Sequence, residues 1–200
     1  MCKLIPTRDL AYFCLVQLKF ATGELQASSS WMRAISSIEL KETVKIDNEN
    51  HKIVMRYIPL GMAVGIVPWN VPVIQVLTKI APALITDNPI VIKPSSLRPY
   101  CALKLGELAQ QFFPPGAVHV LSGGNDLGPI LTSYSAVAKV SFTGSSASGK
   151  KVIEMASRIL KRVTLKLGGN DPAIILPDVN IAEIVNQVNE YCFHLSTLKS

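Results

Sequence analysis

The residues from Ser141 to Gly149, SFTGSSASG, combine free hydroxyls with small side chains between two apolar segments. The preceding run, Ala136 to Val140, reads as a buried strand. The following run, Lys150 to Leu160, places Val152, Ile153, Met155, Ala156, Ile159 and Leu160 at helical spacing. A strand-to-helix turn of this kind leaves the first N–H groups of the helix without backbone partners. The helix dipole adds positive potential there, so the turn can hold a phosphate or another anion. Read alone, the default for this stretch is an ordinary serine-capped helix start. Other residues at strand ends invite the same question. Asn70 sits in a turn between Pro68 and Pro72, and Lys93 closes the short apolar strand Ile90 to Ile92. Ser122-Gly123-Gly124 supplies a turn in which backbone can approach a ligand closely.

These residues need a scaffold, and the chain from Leu60 onward supplies its rhythm. Strands are expected at Met62–Val67, Ile90–Ile92, Ala117–Leu121, 136–142, Arg162–Leu167 and Ala173–Leu176. Helices are expected at Val73–Ile85, Pro99–Phe113, Asn125–Thr132, Lys150–Leu160 and Ile181–Phe193. Strand alternating with helix through short connections gives a parallel sheet covered on both faces. With right-handed crossovers the fold class is α/β, a doubly wound parallel sheet of Rossmann type. Ligands in such sheets bind beyond the carboxyl ends of the strands, where Asn70, Lys93, Gly124, Thr143, Gly144 and Ser145 fall.

The first 59 residues have a different texture. A helix is expected from Leu10 to Phe20, a break at Thr22-Gly23, and a packing helix over residues 24–40. Lys41–Ile46 and Lys52–Ile58 alternate polar and apolar residues about Asp47-Asn48-Glu49-Asn50, which reads as a β-hairpin. The expected organisation is therefore residues 1–59 as helices and a hairpin arm, and 60–200 as a Rossmann-like α/β unit.

Composition narrows the classes. With 48% hydrophobic and 17% charged residues the chain is globular. The net charge of +6 is scattered, with no interleaved aromatic residues, which argues against nucleic acid and suits anionic small molecules. Cys2, Cys14, Cys101 and Cys192 show no CxxC or histidine-paired spacing, so no metal centre and no disulfide framework is expected. A reducing, cytoplasmic setting follows from that usage. No apolar run reaches membrane-spanning length.

Four motifs in order carry a resemblance to the aldehyde dehydrogenase superfamily: Pro68-Trp69-Asn70-Val71-Pro72, Ile92-Lys93-Pro94-Ser95, Ser141-Phe142-Thr143-Gly144-Ser145 with Gly149, and Leu167-Gly168-Gly169-Asn170-Asp171-Pro172. The wording is similar to fungal-type members. The resemblance implies NAD- or NADP-dependent oxidation of an aldehyde to a carboxylic acid through a cysteine thioester. It implies that Asn70 donates to the oxyanion, that Lys93 reaches the adenosine ribose, and that Ser145 lies near the pyrophosphate. Trp69, Thr143, Gly144 and Gly168 fall in the same motifs, and the resemblance implies that Gly124 sits in a turn where the cofactor approaches.

Three departures shape the expected function. Members of the family often carry an acidic residue where this chain has Ser96; without that carboxylate a 2′-phosphate is tolerated, with Arg98 nearby to assist. The family's general-base glutamate corresponds to Lys166, which is protonated at neutral pH and cannot take a proton from water. The family's nucleophilic cysteine segment does not occur in the sequence, and Cys192, two residues from His194, reads as a small apolar side chain. The expectation is a shortened, redox-inactive relative that retains the nucleotide-binding half. Two alternatives stand beside it: a repurposed non-redox enzyme of cyclase or isomerase type, or a small-molecule-binding protein using the same cleft, and a regulatory partner of a full-length aldehyde dehydrogenase. The expected partners are a nucleotide or other small molecule, a second copy of the chain, or a full-length relative.

Overall fold

The computed structural model describes residues 7–169, 174–176, 178–181 and 183–185. It opens with one long helix, α1 (Thr7–Ser36), followed by the antiparallel hairpin β1 (Thr43–Asp47) and β2 (Lys52–Met55). Alternation then begins: β3 (Met62–Ile66), α2 (Pro72–Leu84), β4 (Ile90–Lys93), α3 (Tyr100–Ala109), β5 (Val118–Val120), α4 (Leu127–Ser133), β6 (Val137–Gly144), α5 (Ser146–Ser157) and β7 (Arg162–Leu167).

The five later strands form one parallel sheet in the order β5-β4-β3-β6-β7. The chain starts in the middle, winds outward through β4 and β5, then crosses back to β6 and β7 on the other side. The doubly wound α/β class is therefore as expected. Its topological switch point lies where β3 separates the two directions of winding.

Two apolar layers fix this arrangement. On one face Ala63, Val67, Ile90, Ile92 and Val118 pack against Val76 and Ile80 of α2 and Ala102 of α3. On the other, Val64, Ile66, Val91, Val140 and Phe142 pack with Val152 of α5. The alternation along each strand sorts side chains between the layers. Close approach needs small residues at two points. A Cβ on Gly149 would lie 2.5 Å from Leu167 Cδ2, so glycine lets α5 settle on β7. A Cβ on Gly65 would meet Ile92 Cδ1 at 2.7 Å and Lys79 Cβ at 3.0 Å, so glycine lets α2 settle on β3.

Several boundaries differ from the sequence reading. Thr22-Gly23 does not break the first helix. Glycine in a helix interior costs only about 1 kcal/mol, and packing on α2 offsets it: Ser28 is buried, and Glu24 Oε1 accepts from Val73 N at 2.7 Å and Ile74 N at 3.1 Å. Glu24 thus caps α2 from another helix. The segment SFTGSSASG is not all turn. β6 runs through Gly144 and α5 begins at Ser146, so the turn contracts to Ser145. Helix α3 ends at Ala109 instead of reaching Phe113. Ile174 to Leu176 form no strand; Ala173, the rest of that motif and most of the helix expected at Ile181–Phe193 lie outside the described residues. So do Cys192 and His194.

Asn88 ties the hairpin arm's exit to the sheet. It is buried, its Oδ1 accepts from Leu60 N at 2.6 Å and Gly61 N at 2.8 Å, and its Nδ2 donates to Thr86 O at 2.7 Å.

Candidate functional site

An open cleft of about 390 Å³ lies at the carboxyl ends of β3, β4 and β6. Its lining comes from three chain segments. Ile66, Val67, Pro68 and Trp69 leave β3. Lys93, Ser95 and Ser96 leave β4. Phe142, Thr143, Gly144, Ser145 and Ser148 pass from β6 into α5, and Asn125 completes it from the loop before α4. Strand direction explains the convergence: parallel strands in register end together, and the switch point leaves space between their exits.

Four features give the cleft its chemistry. The first is the start of α5. Ser145 is the N-cap, and its Oγ accepts from Ser148 N at 3.3 Å. The N–H groups of Ser146 and Ala147 precede the first intrahelical bonds, so positive dipole potential faces the cleft. The second is Thr143, 8% exposed, whose Oγ1 has no hydrogen-bond partner. A buried hydroxyl without a partner costs about 1–3 kcal/mol, and a ligand that bonds to it removes that cost. The third is Lys93, 8% exposed, whose Nζ donates to Pro94 O at 3.1 Å. Burial holds its ammonium below the ordinary lysine range, while the Asp126 carboxylate pulls the other way. The fourth is the pairing of Arg98 with Trp69, the guanidinium 5.5 Å from the ring centroid. That stacking holds a cation beside Ser95 and Ser96.

Of the residues singled out from sequence, Trp69, Lys93, Ser96, Thr143, Gly144 and Ser145 line this cleft together. Asn70, Lys166, Gly124 and Gly168 do not. Gly124 lies one residue before the lining Asn125. Asn70 is half-buried beside Val71, whose φ of 40° and ψ of 58° put a β-branched residue in the left-handed region. Such a backbone persists only where its surroundings hold it, and here Glu24 fixes the two amides that follow. Lys166 is exposed on β7, paired in register with Thr143 of β6. It therefore sits beside the cleft without lining it. Leu167 and Ile174 to Leu176 are exposed, yet the neighbours of Lys166 on its own face are polar.

Sequence reasoning missed Asn125 and Ser148 as lining residues, and Glu24 as the residue that orders the Asn70 turn. Ser148 was legible in principle, because it lies one helical turn after Ser145. Glu24 was not, because its partner amides are 49 and 50 residues away. Among the described residues no group of three His, Cys, Asp or Glu could hold a metal ion, and no helix is long and apolar enough to cross a membrane.

Comparison with known proteins gives a consistent result. The model of the aldehyde dehydrogenase family matches residues 16–196. Aldehyde dehydrogenase LUC3 of Fusarium sp is 42% identical over 180 residues, covering 90% of this chain and 38% of that protein. The structure of 3,6-anhydro-L-galactose dehydrogenase in complex with NAP superposes with a TM-score of 0.80 at 34% identity, covering 88% of this chain and 38% of the other. PnpE in complex with nicotinamide adenine dinucleotide superposes with a TM-score of 0.78 at 34% identity, covering 86% and 35%. The chain spans less than two fifths of the length of the curated relatives it matches.

Proposed function

The chain belongs to the aldehyde dehydrogenase family, and from that premise we propose that its cleft binds a nicotinamide dinucleotide, accepting NADP at least as readily as NAD. The observation that carries this reading is the partnerless buried hydroxyl of Thr143, set between the start of α5 and the buried Lys93. A dinucleotide offers what these groups lack: phosphate oxygens for the helix start and hydroxyl or amide partners for the side chains.

Each residue has a role within the reading. Ser145 and the amides after it hold the pyrophosphate. Lys93 donates to the adenosine ribose, with Trp69 walling the cleft. Ser96 leaves space and no negative charge where a 2′-phosphate would lie, and Arg98, held on Trp69, supplies a cation to it. Asn70, outside the cleft lining, is assigned the oxyanion-donor role that the family resemblance implies. Gly124, one residue before the lining Asn125, offers backbone of low bulk, and Gly168 keeps the cofactor role that the family motif implies. A bound nicotinamide supplies the two-electron acceptance that aldehyde oxidation requires.

Lys166 argues for binding without efficient turnover. A protonated lysine at the family's general-base position cannot deprotonate the hydrolytic water. It also puts positive charge near a cationic oxidised nicotinamide. We therefore assign the described residues a dinucleotide-binding role with weak or no aldehyde oxidation.

The test uses the 200-residue chain. Equilibrium titration with NADP and NAD, followed by quenching of Trp69 fluorescence, should give saturable binding with NADP at least as tight. An assay for aldehyde-dependent NADPH formation should show none. A tenfold or greater preference for NAD contradicts the role of Ser96 and Arg98. Sustained turnover contradicts the role of Lys166.

A further inference from the structure

Beside the cleft stands a carboxylate that its own helix does not use. Asp126 is the N-cap of α4, yet its side chain makes no capping bond there. No ion pair among the described residues engages it. Its Oδ1 turns back to within 2.8 Å of where a Cβ on Gly124 would stand, so glycine at that position makes room for it. Gly124 and Asp126 flank Asn125, which lines the cleft. The loop between β5 and α4 thus carries the carboxylate at the edge of the cleft.

Lys93 lines the cleft from the exit of β4. Burial lowers the pKa of its ammonium, and the Asp126 carboxylate acts against that lowering. The two charges attract across the space between their strands' exits, yet no direct ion pair closes between them. A space bounded by an ammonium on one side and a carboxylate on the other suits a hydroxyl. A hydroxyl accepts from the first and donates to the second. A phosphate only accepts, and the carboxylate repels it. Ser96 and Arg98 follow Lys93 on the exit of β4 and present a hydroxyl and a cation there. The two hydroxyls of one ribose can therefore be told apart by what each faces.

Resting on the dinucleotide reading of the cleft, we propose that Asp126 accepts a hydrogen bond from the 3′-hydroxyl of the adenosine ribose and excludes adenosine 3′-phosphates. Lys93 donates to the ribose oxygens, Asp126 accepts from the 3′-hydroxyl, and Ser96 with Arg98 receives the 2′ substituent. The chain thereby supplies, from the loop after β5, the ribose acceptor that Ser96 does not provide. A 2′-phosphate is admitted and a 3′-phosphate is refused, although the two isomers carry the same charge.

Calorimetric titration of the full chain with adenosine 2′,5′-bisphosphate and adenosine 3′,5′-bisphosphate tests this, because equal ligand charge removes general electrostatics from the comparison. The 2′,5′ isomer should bind about tenfold more tightly or better, the worth of one charge-assisted hydrogen bond. Asp126→Ala should bring the two affinities together, chiefly by strengthening the 3′,5′ isomer. It should also abolish the preference of the wild type for ADP over 3′-deoxy-ADP. Gly124→Ala, whose new methyl displaces the carboxylate, should move both comparisons the same way. Glu49→Gln, which removes a charge from the exposed hairpin turn, should leave both unchanged. Circular dichroism confirms that each variant folds; should Gly124→Ala unfold, Asp126→Ala decides alone. Equal affinity of the two isomers for the wild type overturns the role of Asp126 and leaves the dinucleotide reading standing. So does a ratio that Asp126→Ala does not move, or that Glu49→Gln moves as much. Absence of binding by both isomers and by ADP overturns the dinucleotide reading, and this role with it.

Discussion

Single side chains decide which ligand the cleft accepts. Ser96→Glu places a carboxylate where a 2′-phosphate would sit. NADP affinity should fall about tenfold, on the order of 1.4 kcal/mol, while NAD affinity holds or rises, as measured by the same titration. Lys79 makes a prediction in pH. Its folded pKa is lowered, so the unfolded chain binds more protons between the folded pKa and 10.5. The penalty is complete at neutral pH and is lifted as pH rises through that interval. In chemical denaturation, wild type should therefore gain stability relative to Lys79→Gln as pH rises toward 10.5. A stability difference independent of pH would contradict the burial of Lys79 and its repulsion by Lys166 and Lys139. The sequence identified Lys93, Thr143, Ser145 and Ser96 because each sits at a strand exit in a recognisable motif. It did not identify the missing partner of Thr143 Oγ1, which depends on how β6 packs and not on spacing.

Among the elements, two tethers hold the site's geometry. Glu24 caps α2 and so fixes the turn that carries Asn70 and the left-handed Val71. Glu24→Ala should cost about 1 kcal/mol in urea unfolding, and Glu24→Gln distinctly less, because the amide oxygen still accepts. Asn88 satisfies two backbone amides before β3; Asn88→Ala should cost about 2–3 kcal/mol, because both are left without that acceptor. Element types in the alternating region were legible, since periods of two and of 3.6 differ clearly over β3 to β7. Ends were less so. Gly23 reads locally as a break, and only long-range packing of Ser28 and Glu24 shows why the helix continues. The start of α5 was placed four residues late because small, polar Ser146 to Gly149 carry no apolar period, although the serine cap was visible.

At the scale of the molecule, the doubly wound class could be argued from the rhythm of the chain, and with it a ligand site beyond the carboxyl ends of the strands; the strand order comes from the structure. The outward face of the hairpin could not. Val44, Ile46, Ile53, Val54 and Met55 are all exposed, and an isolated two-stranded hairpin with that surface is marginal in water. Sedimentation velocity should therefore show self-association, and Ile46→Lys with Ile53→Lys should return the chain to monomer. The central claim, that the cleft between β3, β4 and β6 binds a nicotinamide dinucleotide, is tested most directly by mapping amide NMR shifts of the full chain on addition of NADP. The account predicts saturable shifts concentrated at Trp69, Lys93, Ser95, Thr143, Gly144 and Ser145. No saturable shifts, or shifts confined to residues outside that lining, would contradict it.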